Sequence, residues 1–417
     1  MQTLISDERW PILKRPALTV GLIAPPVKPI KYVGFDEPTG YGKAAQSLVT
    51  ALRSIGQDVL WRGVQTGRTA FSHQAIDSLH EDYDSVIFHV VPEYYPRWLA
   101  RERALRQSNS RACWGYTAWE TDRIPKHWPK FLNDMDGIFV PCQWNRTVLR
   151  QCGVTTRIEV LPHVAQFHGQ ISADGPSHHV EQLLASLADR FVFYSIGVWS
   201  DRKAPWLILE AFLTEFDVDE PVALILKTGK EDWTRESRTW RRCWRRSPGD
   251  SVRAFDEISK RLPAGPPVVH DVLSWEDNDI AWLHERGDCF VSLSCGEGWG
   301  MGAYEAAWWG KPVIATGYGG SLDYLPDHCS YHAKYRLVPV RFATGGASYT
   351  SEQNWAQADV SDARRLMRQV FADQTTARLK GGKLREHMNR FFHPDLIASH
   401  CITSLQAENL IPSSEGS

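Results

Sequence analysis

Several features are missing from this sequence. Its eight cysteines, at 113, 142, 152, 243, 289, 295, 329 and 401, include no CxxC pair, and several, such as Cys289 in "GDCFVSLSC", lie in apolar runs. That argues against a zinc site and a disulfide framework, and for reduced, packed thiols. No apolar run approaches the ~20 residues a membrane-spanning helix needs. Charge of one sign is not in excess: 47 Lys and Arg against 49 Asp and Glu leave a net −2. An overall basic protein built to coat nucleic acid is thereby excluded. Low-complexity tracts are absent. The opening stretch "MQTLISDERWPILKRPALTVGLIAPP" sets acids ahead of its apolar segment and has no basic lead, unlike a secretory signal. A cytosolic location is expected.

What is present reads as a soluble α/β protein. A chain of 417 residues, 43% hydrophobic and 23% charged, exceeds one ordinary core, so two domains are expected. Eighteen tryptophans mostly fill cores, with an exposed share suited to stacking on sugars. The apolar runs are short, β-branched and unalternated, as in parallel strands covered on both faces. In the first half they are "ALTVGLIA" (17–24), "SVIFHVV" (85–91), "GIFVP" (137–141) and "IEVLP" (158–162). The second half has "FVFYSIGV" (191–198), "VALILKT" (222–228), "PVVHDVL" (267–273), "DCFVSLS" (288–294) and "KPVIAT" (311–316). Helical patterns over 42–56, 203–216 and 275–287 alternate with them, and the chain turns purely helical after about residue 355. Gly56, Gly287 and Gly310 stand where C-terminal cap glycines belong. The alternation predicts two Rossmann-like α/β domains facing across a cleft, with ligands at the C-terminal strand edges. Expected boundaries are an N-terminal domain over 1–165, a linker over 166–190 and a C-terminal domain over 191–385. A C-terminal helix and tail over 386–417 would pack back on the N-terminal domain.

Two glycine-rich loops carry the candidate chemistry. Gly40-Tyr41-Gly42-Lys43-Ala44-Ala45 fits the GxGxxA dinucleotide fingerprint, but with a first strand at 17–24 some fifteen residues would separate the two, where the fingerprint sits directly on the turn. A loop running into a helix N-terminus remains, a place where backbone N–H groups meet an anion. The stretch "CFVSLSCGEGWGMGAYEAAWWGKPVIATGYGG" (289–320) reads as strand, glycine loop and short helix. Glycines at 298, 300 and 302 let successive N–H groups turn toward a phosphate, and the helix N-terminus favours it further. Glu297 and Glu305 flank that site, and carboxylates are good acceptors for hydroxyls. Hydroxyls at both ends with a diphosphate between them describe a sugar nucleotide.

On these residues the chain resembles the retaining GT-B glycosyltransferases of the family 4 type. The resemblance rests on Glu297-(x7)-Glu305 in "GEGWGMGAYEAAWWGKPVIAT", on "SIGVWSDRKAPWLILEAF" (195–212), and on "GYTAWETDRIPKHW" (115–128) with "VPCQWNRTVLRQCGV" (140–154). It implies a hexosyltransferase that takes a UDP- or GDP-linked sugar to a saccharide, lipid-linked or other acceptor, such as a protein, without a metal. The N-terminal domain would then bind the acceptor and the C-terminal one the nucleotide sugar. By position, Glu305 would hold the ribose hydroxyls and Glu297 the donor sugar's hydroxyls. Lys203 and Arg202 would neutralise the diphosphate, joined by N–H groups around Gly300, Met301 and Gly302. The Gly40–Gly42 loop would close over the site, and His89 would lie near the sugar. The arginine that the family often carries just after the "SIGV" glycine is replaced here by Val198 or Trp199, so that either Arg202 takes over or the leaving group relies on Lys203 alone.

Other groups have plainer readings. Asp134-Met135-Asp136 mimics a metal-binding DxD but reads as the end of a helix and the start of a strand, and Asp277-Asn278-Asp279 as a helix start; no metal is expected. His163 reads as a contact at the domain junction. Glu120 would orient an acceptor, or pair with Arg123. In "WTRESRTWRRCWRRSPG" (233–249) Trp233, Trp240 and Trp244 recur at helical spacing among Arg235, Arg238, Arg241, Arg242, Arg245 and Arg246. A helix over 233–246 of that kind packs its stripe on the domain or rests peripherally on an anionic membrane. Rival functions are a dinucleotide oxidoreductase, a GT-B-fold epimerase or phosphorylase, and a sugar-binding module without activity.

Overall fold

A computed structural model of the protein describes residues 28–37, 39–65, 82–104, 112–165, 171–237, 247–341 and 348–406. The described residues divide into two compact units. One takes the chain up to Ala118, Lys126 to residue 165, and Met388 onward; the other takes Trp119–Pro125 and residue 171 to His387.

The first unit runs β1 (Ile30–Phe35), α1 (Gly40–Ser54), β2 (Val59–Val64), β3 (Ser85–His89), α2 (Tyr95–Ala104), β4 (Ala112–Tyr116), α3 (Trp128–Leu132), β5 (Gly137–Val140), α4 (Gln143–Gln151) and β6 (Ile158–Val160). Its strands form one parallel sheet in the order β2-β1-β3-β4-β5-β6. The order reverses between β1 and β3, so their C-terminal ends make the crevice where such sheets bind ligands.

The second unit runs α5 (His178–Ser186), β7 (Phe191–Ile196), α6 (Pro205–Glu215), β8 (Val222–Lys227), β9 (Glu231–Ser237), β10 (Ser247–Asp250), α7 (Ser251–Ser259), β11 (Val268–Asp271), α8 (Asp277–Arg286), β12 (Cys289–Ser292), α9 (Met301–Trp308), β13 (Val313–Thr316), β14 (Tyr331–Ala333), β15 (Tyr335–Pro339), β16 (Asn354–Ala358), α10 (Val360–Ala372) and α11 (Gln374–Phe391). The parallel order β11-β8-β7-β12-β13-β14 is the Rossmann 3-2-1-4-5-6, with its switch point between β7 and β12. Phe193, Leu209, Phe212, Phe216, Met367 and Val370 fill the core between β7, α6 and α10. The last helix, α12 (Pro394–Gln406), returns to the first unit and packs on α1. No helix among the described residues is long and apolar enough to cross a membrane, and the seven described cysteines are free thiols, six of them buried.

Most apolar runs form strands at the expected places; four readings need correction. The run at 17–24 lies outside the described residues. The first strand of the sheet is "IKYVGF", which the sequence pattern hid because Lys31 interrupts it. Lys31 is 1% exposed and is neutralised in place by Glu102, 2.6 Å away, with Tyr83 Oη at 3.1 Å. Gly40 therefore follows strand one after four residues, so distance from the strand no longer counts against the fingerprint.

The second correction concerns 233–246. Glu231–Ser237 is a strand paired antiparallel with β10, not a helix; residues 238–246 lie outside the described set. Trp233 N–H donates to Trp199 O at 2.8 Å, and buried Asp232 accepts from Thr234 N and Oγ1, which holds the segment extended. Third, part of the expected linker is the helix α5. Asp279 Oδ1 accepts from Ser177 N at 2.7 Å, and Asn278 also binds Ser172 and Gly175, so the 277–279 triplet pins the segment ahead of α5. Fourth, Gly56 and Gly310 have the left-handed φ of cap glycines, +85° and +68°, but Gly287 has φ −65°.

Gly42 is fixed by close approach. A Cβ there would stand 1.9 Å from Glu37 O, and its N–H is bonded to the Thr39 hydroxyl that caps α1. Gly42→Ala is expected to destabilise the first unit by about 1–3 kcal/mol, the usual cost of overpacking, read as a lower denaturant midpoint at constant slope.

Candidate functional site

In the second unit, the loop after β7, the loop after β12 and the start of α9 meet at the switch point. They line a cleft with Ile196, Lys203, Glu297, Gly300 and Gly302, and with the hydroxyl-bearing Ser292, Ser294, Thr316, Tyr318 and Ser321. Lys203 reaches it from a tight turn. Ala204 has φ +42°, ψ +52°, the one left-handed non-glycine conformation among the described residues, at a cost of roughly 1–2 kcal/mol. The turn is closed by Ala204 N–H to Ser200 O at 2.8 Å.

Four charges interlock here. Lys203 Nζ lies 2.5 Å from Glu297 Oε1, Arg202 Nη1 lies 3.1 Å from Oε2, and Arg202 also donates to Gly296 O. Arg202 Nε stands 3.8 Å from Glu120, whose other oxygen accepts from Tyr349 Oη at 2.8 Å. The Glu297 backbone is held too, its carbonyl accepting from Gly320 N at 2.8 Å. Burial by itself would raise the Glu297 carboxyl; the charges of Lys203 and Arg202 outweigh it and hold it at about 2. Burial pulls the Lys203 ammonium down, opposed by Glu297. Burial also lowers Arg202, but Glu120 and Glu297 overcome it and raise its value. Two cations against two carboxylates leave a cluster near neutral, ready to re-pair when an anion enters.

The N-terminus of α9 borders the same cleft. Its cap, Gly300, adopts φ +91°, which glycine tolerates at no steric cost, and has no side chain to cap the first turn. Gly300, Gly302 and Ala303 line the cleft, so unpaired helix N–H groups and Lys203 face one space. The side chains of Met301 and Glu305 are outside that lining, though both sit on α9. The Thr316 hydroxyl is buried in the cleft without a hydrogen-bond partner among the described residues. Sequence reading missed these hydroxyls; the available signal was position, since Ser292 and Thr316 are the last residues of β12 and β13, where α/β sheets bind ligands.

Glu120 pairs with Arg202, not with Arg123, and it belongs to the second unit although its neighbours in sequence belong to the first. At the place of the expected arginine, Val198 is exposed and Trp199 is buried. Asp136 is occupied by accepting from Cys113 N at 2.7 Å.

The first unit gathers its candidates at its own switch point. His89 ends β3 and is 1% exposed. Its Nδ1 pairs with Tyr32 Oη at 2.7 Å and its ring stacks on Tyr116 at 3.9 Å. Its Nε2 has no partner among the described residues. Burial, and then the nearby His163, push its value well below the ordinary histidine range, so the ring is neutral. His163 bonds the Tyr116 hydroxyl at 2.9 Å and is lowered to about 3 by burial. Gly40 and Gly42 open α1 beside this cluster; Tyr41 packs edge-on against His89.

Two parallel six-stranded sheets with these strand orders and C-terminal helices define a GT-B fold. No protein-family model matches the sequence, and no curated protein does. Solved structures match it in fold. HepE of Anabaena, solved with UDP and glucose, superposes with a TM-score of 0.62 at 14% identity, over 91% of this chain and 100% of that one. Sucrose-phosphate synthase of Thermosynechococcus elongatus gives 0.63 at 15% identity, over 91% and 98%. A glycosyltransferase of Rickettsia africae gives 0.61 at 12% identity, over 92% and 99%.

Proposed function

We propose that this protein is a retaining, metal-independent glycosyltransferase that moves a sugar from a UDP- or GDP-linked donor to a saccharide or lipid-linked acceptor hydroxyl. The observation that carries the reading is the convergence of Lys203, Arg202 and the uncapped start of α9 on one cleft at the switch point. Breaking the bond between the anomeric carbon and the phosphate oxygen leaves charge on the diphosphate, and fixed cations and N–H dipoles stabilise it without reorganisation. The acceptor oxygen bonds the anomeric carbon, and its proton departs with the nucleoside diphosphate. The fold-mate solved with UDP and glucose supports this chemistry.

In this reading Lys203, the N–H groups of Gly300, Met301 and Gly302, and Arg202 take the diphosphate, releasing Glu297 to accept from the donor sugar's hydroxyls. Glu305 takes the ribose, and Glu120 steadies Arg202.

Thermal melting with UDP, GDP, ADP, NAD and NADP at matched concentrations tests the proposal. A ligand at 100 times its dissociation constant adds about 2.7 kcal/mol, a plain rise in Tm. UDP or GDP is expected to stand out, with free nucleotide released from the sugar donor only when an acceptor is present. Stabilisation by NAD or NADP alone would return the Gly40–Ala45 fingerprint to its dinucleotide meaning and sink the transferase reading.

A further inference from the structure

His284 is a buried group that the proposed chemistry does not use. It lies on α8, 1% exposed, with Nδ1 2.9 Å from Tyr194 Oη. Its Nε2 makes no hydrogen bond among the described residues and stands 3.6 Å from Glu305 Oε2, an electrostatic contact slightly too long to be a hydrogen bond. The Glu305 side chain is 13% exposed, and no hydrogen bond to its carboxylate occurs among the described residues. A nearly enclosed carboxylate facing a single N–H group is poised for a ligand that supplies more donors.

The ring cannot swing away. Trp309 lies parallel to it, 11° between planes with centroids 6.5 Å apart, Phe290 flanks it, and Tyr194 meets it edge-on. The protonation pattern follows from the neighbours. If Nε2 carried the lone pair, it would oppose the lone pairs of Glu305; with a hydrogen on Nε2 it attracts them, and Nδ1 is left to accept from the tyrosine. Burial, reinforced by nearby acids that include Glu305, raises Tyr194 well above the ordinary phenol range, so its hydroxyl keeps the proton it donates. Gly287 completes the arrangement. A Cβ there would stand 2.4 Å from the Tyr194 ring, so the bare residue at the end of α8 makes the room in which Tyr194 reaches His284.

Resting on the nucleotide-sugar reading, we infer that His284, oriented by Tyr194, is the positioning residue that holds Glu305 to receive both ribose hydroxyls of the donor nucleotide. It does not touch the substrate; it fixes which way the carboxylate faces. The consequence is specificity for ribose over sugars lacking those hydroxyls, because a carboxylate already aimed loses less freedom on binding.

The test compares affinities for UDP and GDP with those for their 2′,3′-dideoxy forms in wild type, His284→Leu, His284→Gln and Tyr194→Phe. Wild type is expected to prefer the ribose form by about tenfold or more, as hydrogen bonds to a charged acceptor warrant. His284→Leu should bring that ratio to about threefold or less while leaving pyrophosphate affinity unchanged. Glutamine offers an N–H at a similar reach and should restore most of the preference. Tyr194→Phe should lower it in the same direction, and with the glutamine variant it carries the test if His284→Leu does not fold. A folded His284→Leu or Tyr194→Phe protein with the full wild-type ratio overturns the inference. So does a wild type that binds nucleotide without preferring ribose. A wild type that binds neither nucleotide overturns instead the functional reading on which the inference rests.

Discussion

Replacing Lys203 with alanine is expected to lower sugar-transfer turnover by about 10²–10³-fold, the range found on removing one preorganised group at a developing charge. Arg202 compensates only in part, because its Nη1 also donates to Gly296 O and Glu120 stands beside its Nε. Arginine at 203 is a poor rescue, because a planar fork replaces a point charge that fits a tight turn. The same substitution leaves Glu297 with only one of its two cations, so a fall in Tm should accompany the loss. Turnover is the deciding measurement: Lys203→Ala protein keeping a third or more of it would move the burden of leaving-group stabilisation to the start of α9. Pyrophosphate inhibition separates binding from chemistry, since a group that acts chiefly in the transition state changes kcat more than substrate affinity.

The largest loss of stability is expected in the first unit, from Glu102→Ala. The Lys31 and Glu102 side chains are each 1% exposed and 2.6 Å apart, and Tyr83 bonds both. Removing one partner of a buried pair costs about 3–5 kcal/mol, because the other charge remains without compensation. Burial already pulls the Lys31 ammonium below its ordinary value, and Glu102 opposes that. The double change Lys31→Met with Glu102→Leu should recover most of the loss, since apolar packing often equals a buried ion pair. Chemical denaturation gives both numbers. Equal destabilisation of the single and the double variants would mean that packing of the Glu102 side chain, rather than charge, holds β1 in place.

That pair also marks the limit of what the sequence made legible. Most parallel strands from 85 to 316 announced themselves as unbroken apolar runs because both faces of a parallel sheet are covered; β4, "ACWGY", did not, since it has no β-branched residue. β1 carries a charged residue whose partner lies 71 positions away, and no local pattern encodes such a partner. For 233–246 the tryptophan spacing favoured a helix, while the described part, 233–237, is held in a strand by Asp232 and by the bond from Trp233 to Trp199, which is again non-local. Glu297 stood out from the glycine loop between strand and helix, and Lys203 and Arg202 were named through the family resemblance; the structure brings the three side chains together. The hydroxyls of Ser292 and Thr316 were not, since serine and threonine are common and only the end of a strand gives them meaning. Gly287 was noticed for the wrong reason: its missing side chain serves the Tyr194 ring, not a left-handed turn.

Because Trp119–Pro125 belongs to the second unit and α12 to the first, the backbone passes from one unit to the other four times. No single cut yields the two halves as separate polypeptides. A polypeptide begun after residue 166 would omit Glu120 and Asp122, whose partners Arg202 and Asn354 it would retain. One ended before Met388 would strip α12 from α1. Chimeras that exchange one half for that of another GT-B protein will need a junction at each of those four crossings, and the short piece at 119–125 must travel with the C-terminal half.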